Sequence, residues 1–155
     1  MNASVESVKL KRGYELVFTV DEYYDGPRTG VANFRGEPHF YDCIFDKNRN
    51  DYTDLYRLTP IDPKTFERAL KAWRIWRKWE FAYHEGKAKW ESHPALQADT
   101  TKYRKILKML GRTLKTDPKG NITRMGHFAP IAKSKLPNGV LHDLQVKWSR
   151  PRVSC

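Results

Sequence analysis

Polar and apolar positions along this chain follow two different periods. From Gly13, residues Tyr14, Leu16, Phe18 and Val20 alternate with Glu15, Val17, Thr19 and Asp21. A period of two marks a half-buried strand. The stretch Asp21–Gly30 is dense in turn residues and reads as a loop. Val31–Phe34 and His39–Asp46 then read as two strands, joined as a hairpin through Arg35-Gly36-Glu37-Pro38. Tyr41, Cys43 and Phe45 share one face of the second strand. Lys47–Asp51 is a polar turn and Tyr52–Leu58 a fourth, less regular strand. Sequential strands with short turns pair with their neighbours, so this part is an antiparallel meander.

The period changes at Asp62. This residue suits an N-cap, and Pro63 suits the first helical position, where a missing N–H costs nothing. Gly86 supplies the stop for a long helix over Pro63–Glu85. At 100° per residue, Phe66, Ala69, Leu70, Trp73, Trp76, Trp79 and Tyr83 fall on a broad apolar arc, with Glu67, Lys71, Arg74, Lys78 and Glu85 opposite. Lys87–Asp99 is a connection of mixed character. A second, shorter and basic helix runs from Asp99 or Thr100 to Gly111, with Tyr103, Ile106, Leu107 and Leu110 as its apolar stripe. Arg112–Thr116 and Asn121–Phe128 read as a hairpin around Asp117-Pro118-Lys119-Gly120. Pro130–Gly139 is rich in Pro and Lys, includes Ala132-Lys133-Ser134-Lys135, and ends in an Asn138-Gly139 turn. The last strand alternates Leu144, Val146 and Trp148.

The expected architecture is α+β. An antiparallel β-sheet, built from the N-terminal meander and the C-terminal strands, packs on one long amphipathic helix, with the shorter basic helix beside it. Residues 1–12 are expected to be a flexible leader and residues 151–155 a tail. One domain is expected over 13–150, divided into a β-meander at 13–60, the helix at 63–85 and a basic helical and β portion at 87–150.

Composition narrows the class without naming a function. The 155 residues include 20 aromatics, which argues against disorder. No stretch approaches the roughly 18 apolar residues of a membrane span. Two cysteines, Cys43 in an apolar run and Cys155 at the end, read as free thiols and point to a cytoplasmic protein. The net charge of +11 is unevenly placed. Residues 1–62 hold eight Lys and Arg against eleven Asp and Glu, a net −3. Residues 63–155 hold twenty-one against seven, a net +14. Such asymmetry suggests an acidic face and a basic face, the basic one meeting a partner.

Four constellations carry possible chemistry. Glu80 lies inside the apolar arc of the long helix, with His84 one turn on and Arg77 at the border. A buried carboxylate beside a histidine could act as a general acid or base; the simpler alternative is an ion pair that fixes the helix. The five histidines show neither His-Glu-x-x-His spacing nor a Cys-x-x-Cys companion, and Asp21, Glu22 and Asp25 miss the calcium-loop spacing, so no metal is expected. Gly26-Pro27-Arg28-Thr29-Gly30 could present backbone N–H groups and Arg28 to an anion, although it matches no phosphate-loop pattern and a structural turn is the simpler reading. The fourth constellation is the basic surface: Lys102, Arg104, Lys105, Lys108, Arg112 and Lys115. Trp90, Tyr103 or Trp148 could stack bases beside it if exposed.

The leading expectation is therefore a non-enzymatic binding protein, without cofactor, whose basic C-terminal portion engages an anionic macromolecule, nucleic acid first. A protein–protein interaction module, such as an inhibitor or accessory subunit docking on an acidic protein, fits the same composition. A small enzyme using Glu80 and His84 is the third possibility.

Overall fold

A computed structural model describes residues 9–131, 136 and 140–152. The expectations for the start of the leader, for Ala132–Lys135, for the Asn138-Gly139 turn and for Cys155 lie outside the described residues. In chain order the strands are β1 (Glu15–Leu16), β2 (Glu22–Tyr23), β3 (Pro27–Phe34), β4 (Glu37–Asp46), β5 (Asp51–Pro60), β6 (Ile122–Pro130) and β7 (Leu144–Ser149). Helix α1 (Pro63–His84) follows β5, and α2 (Thr100–Thr113) precedes β6. Trp90–Ser92 and Gln97–Asp99 form single 3₁₀ turns between the helices.

The strands make one antiparallel sheet in the order β1-β7-β6-β5-β4-β3-β2. Its two edges belong to one short run of chain. Glu15 and Leu16 pair with Val146 and Gln145 on one side. Val17 then bridges Ala32, and the Phe18 and Asp21 amides donate to the Val31 and Thr29 carbonyls, on the other side. The alternating segment 14–21 is thus a single strand by pattern that changes partner at Val17, and by doing so it curls the sheet closed. Closure satisfies edge groups that would otherwise pair with other chains. The Glu15 carboxylate reinforces it by accepting the Arg35 and Gly36 amides at 3.0 and 2.8 Å.

Two glycines make the curl possible. A Cβ on Gly30 would collide with the Thr19 carbonyl and lie 2.5 Å from the Tyr41 hydroxyl, where the first strand crosses β3. One on Gly126 would meet Trp148 at 2.6 Å and Tyr56 at 2.9 Å. The space is taken by rings: Tyr41, Tyr56, Phe128 and Trp148 pack with centroids 5.3–6.3 Å apart. Together with Val17, Ala32, Phe34, Cys43, Leu58 and Val146 they fill the inner face. The Tyr41 hydroxyl, fully buried, donates to the Thr19 carbonyl at 2.8 Å.

The helices cover the outer face. Val31, one residue out of phase with Ala32, points into a second cluster with Ala69, Ala72, Ile75, Ala95, Ile106 and Leu110. Helix α1 starts as its sequence dictates, with the Asp62 carboxylate accepting the Thr65 amide at 2.8 Å and Pro63 in the first turn. It ends at Gly86, which takes φ +76° while the Gly86 and Lys87 amides return to Tyr83 and Ala82. That pair of bonds is the Schellman arrangement.

Several boundaries differ from the sequence expectation. β3 begins at Pro27, so the Gly26–Gly30 segment is mostly strand rather than loop. The β3–β4 turn is two residues, Arg35 and Gly36, both at positive φ, with Phe34 paired to Glu37. Helix α2 passes through Gly111 to Thr113. Gly111 keeps an ordinary φ, and Leu110 and Leu114 on either side face the protein, so packing carries the helix on. Arg112–Thr116 is therefore not a strand. Its continuation is a loop, tied to β4 by Thr116 donating to Asp42 at 2.8 Å and to β5 by the Asp117 amide on Thr59.

Candidate functional site

Glu80 and His84 are separated by their surroundings. Glu80 is 5% exposed and both carboxylate oxygens are engaged. Oε1 accepts Arg77 Nη1 at 2.7 Å, and Oε2 accepts the Leu141 amide at 3.0 Å. Arg77 also donates to the Leu141 carbonyl and reaches Asp143. His84 stands exposed at the helix end, with its ring edge-on to Tyr83 at 5.2 Å. Among the described residues no hydrogen bond or ion pair joins Glu80 to His84. Glu80 and Arg77 instead pin α1 to the segment before β7.

The basic residues of α2 behave differently. Tyr103, Ile106 and Leu110 face the protein. Arg104, Lys105, Lys108 and Arg112 lie on the opposite side of the helix, within an arc of about 100°. All four are exposed, as are Lys102 on the flank and Lys115 beyond the helix. The helix carries no Asp or Glu, and none of the ion pairs among the described residues involves these six cations.

The remaining expected contacts divide. Arg28 is not free for an anion: Nε and Nη2 donate to the Tyr24 and Asp25 carbonyls at 2.7 and 2.8 Å, Nη1 reaches the Cys43 sulfur, and the guanidinium lies 4.2 Å over Tyr52. It clamps the turn before β3. Trp148 faces the ring cluster inside the sheet, with Nε1 donating to the Asn33 carbonyl, and is not a surface platform. Tyr103 is half-buried against α1. Trp90 is 62% exposed and stacks on His93 with centroids 4.7 Å apart. His93, Lys89 and Arg104 line a shallow hollow of about 450 Å³ at the start of α2.

A feature absent from the sequence expectations is a cavity of about 550 Å³ between the second half of the first strand, α1 and α2. Ala69 and Ala72 give it depth, and Trp73, Trp76, Tyr103 and Tyr23 supply aromatic wall. Trp73 and Trp76 stack on each other with centroids 5.1 Å apart. Asp21 is the one carboxylate in the lining and His93 its one basic side chain, and no Lys or Arg among the described residues joins them. Asp21 is exposed at the mouth of the cavity, with protein crowding its inner side. That crowding, opposed by a hydrogen bond with Thr19 and supported by the nearby Glu22 charge, pushes its carboxyl up to about 6. The same burial and the Asp21 charge raise the Tyr103 phenol. The sequence signal for this cavity was the pairing of small residues, Ala69 and Ala72, with large rings at Trp73 and Trp76 one turn on.

No family model, curated protein or solved structure matches the chain. Among the described residues no three His, Cys, Asp or Glu side chains gather as metal ligands, and no helix is long and apolar enough to cross a membrane.

Proposed function

We propose that the protein binds an anionic macromolecule, nucleic acid first, through the outward face of α2. One observation carries this reading: Arg104, Lys105, Lys108 and Arg112 form an exposed, acid-free stripe without ion-pair partners among the described residues. Surface cations are commonly balanced by neighbouring acids, as Lys71 is by Glu67 and Lys78 by Asp99. An unbalanced stripe holds a positive potential and releases phosphate counterions when it binds. At its start, the exposed Trp90–His93 stack lies beside Lys89 and Arg104, a combination that suits an unpaired base next to its phosphate.

Fluorescence anisotropy with a labelled single-stranded oligonucleotide tests the proposal. Wild-type protein should bind with an affinity that falls steeply as salt rises. Replacing the four stripe residues with Gln should weaken binding by at least about tenfold and lower the slope of log K against log salt by roughly 3, near 0.7 for each lost contact. Equal binding by the variant would overturn it. Recovery of one stoichiometric acidic protein, indifferent to nuclease and lost in the same variant, would instead assign the stripe to a protein partner.

A further inference from the structure

We propose that the cavity between the first strand and the two helices binds an organic cation, an alkylated amine or quaternary ammonium with an apolar body. The argument starts from Asp21. Asp21 stands exposed at the mouth of a concave, ring-lined wall, where its charge faces whatever enters. This chain has 29 Lys and Arg, yet among the described residues none lines the cavity or pairs with Asp21. Among the described residues His93 is the one basic side chain in the lining, so a cation entering at Asp21 meets no Lys or Arg in competition.

The rest of the lining matches the same ligand. Trp73, Trp76, Tyr23 and Tyr103 place aromatic rings around the space that Ala69 and Ala72 leave open. Aromatic faces attract cations, and the attraction grows when the site excludes water. A weakly hydrated alkylammonium gives up its water more readily than a metal ion and offers apolar surface to the same rings. The volume, about 550 Å³, lies within the range of small-molecule sites and exceeds what a bare ammonium head requires. The excess runs along Leu107, Leu110 and Leu114, which fits a hydrocarbon body attached to the charged head.

The cavity shares His93, Pro94 and Tyr103 with the hollow at the start of α2, but none of the four stripe cations lines it. Two-dimensional NMR of the tryptophan indole N–H signals tests it, with phenyltrimethylammonium as the probe and tert-butylbenzene as its uncharged isostere. The cation should shift the Trp73 and Trp76 signals saturably and leave Trp148 in place. The isostere should bind on the order of tenfold more weakly, the difference that cation–π and charge contacts supply. Asp21→Asn should erase most of that preference while keeping the fold, and Trp76→Leu should weaken both probes. The four-Gln α2 variant should bind the cation as wild type does, which separates this result from the fate of the nucleic-acid proposal. Equal affinity for the two probes, or no saturable shift at Trp73 and Trp76, would overturn the assignment.

Discussion

Asp21 sits in a position that costs the folded protein something. An aspartate ordinarily titrates near 3.8, and here desolvation pushes the carboxyl up to about 6. The folded state therefore holds a proton across that interval that the unfolded chain has already released. Stability from this group is intact below the lower value, declines as pH rises between the two, and is lost above about 6. Glu22 beside it and the Tyr41 and Tyr103 phenols add no positive charge, and His93 is the one basic side chain that shares the cavity lining with it. Urea denaturation of Asp21→Asn should show a gain over wild type near neutral pH that shrinks toward about pH 4; a constant difference would remove the account. Tyr41 presents the opposite case, a polar atom fully buried and fully used. Tyr41→Phe removes its bond to the Thr19 carbonyl and should cost roughly 1–2 kcal/mol, read from the denaturation midpoint at unchanged slope. Gly30→Ala should cost more than that, because the added carbon meets backbone and a buried ring at once.

Among the elements, α1 is held at both ends by local chemistry and in its middle by a clamp. Arg77 and Glu80 join the helix to Leu141 and Asp143, just before β7 enters the sheet. Glu80→Ala would leave Arg77 without its buried partner and the Leu141 amide without an acceptor. The expected loss is about 3 kcal/mol, with Glu80→Gln losing less because the amide oxygen can still accept. A thermal melt of both variants distinguishes this from a merely solvated carboxylate, for which the two would behave alike. This clamp was half legible in the sequence: helical spacing placed Arg77 beside Glu80, but nothing local announced Leu141, 61 residues away. The same division holds elsewhere. Asp62-Pro63 and Gly86 set the limits of α1 through short-range bonds, so they could be read directly. Gly111 misled because a glycine stops a helix only when it turns to positive φ, and the burial of Leu110 kept it helical. The closure of the sheet was hidden because one alternating strand, 14–21, serves two partners, a fact written in β3 and β7 rather than in its own pattern. The cavity was hidden for a related reason: Asp21 and Trp73 belong to different elements and meet only when α1 lies across the curled sheet.

At the scale of the whole molecule, two explanations compete for any affinity toward polyanions. A net charge of +11 attracts them without any particular surface, whereas a stripe on α2 does so from one side. The two are separable because the charge can be lowered equally in different places. Gln at Arg104, Lys105, Lys108 and Arg112 takes the net charge from +11 to +7, and so does Gln at Lys64, Lys71, Lys87 and Lys147. All eight side chains are exposed, so neither set disturbs the core. Lys71 and Lys87 are already balanced by Glu67 and Glu85, and Lys64 and Lys147 belong to other elements, α1 and β7. On a heparin column the α2 variant should elute at clearly lower salt than wild type, while the scattered variant stays close to it. Equal shifts would mean that total charge does the work and that α2 has no special role. A shift confined to the α2 variant localises the field to one helix. That helix also backs the aromatic cavity through Tyr103 and Leu110, so its two sides would then serve ligands of opposite charge.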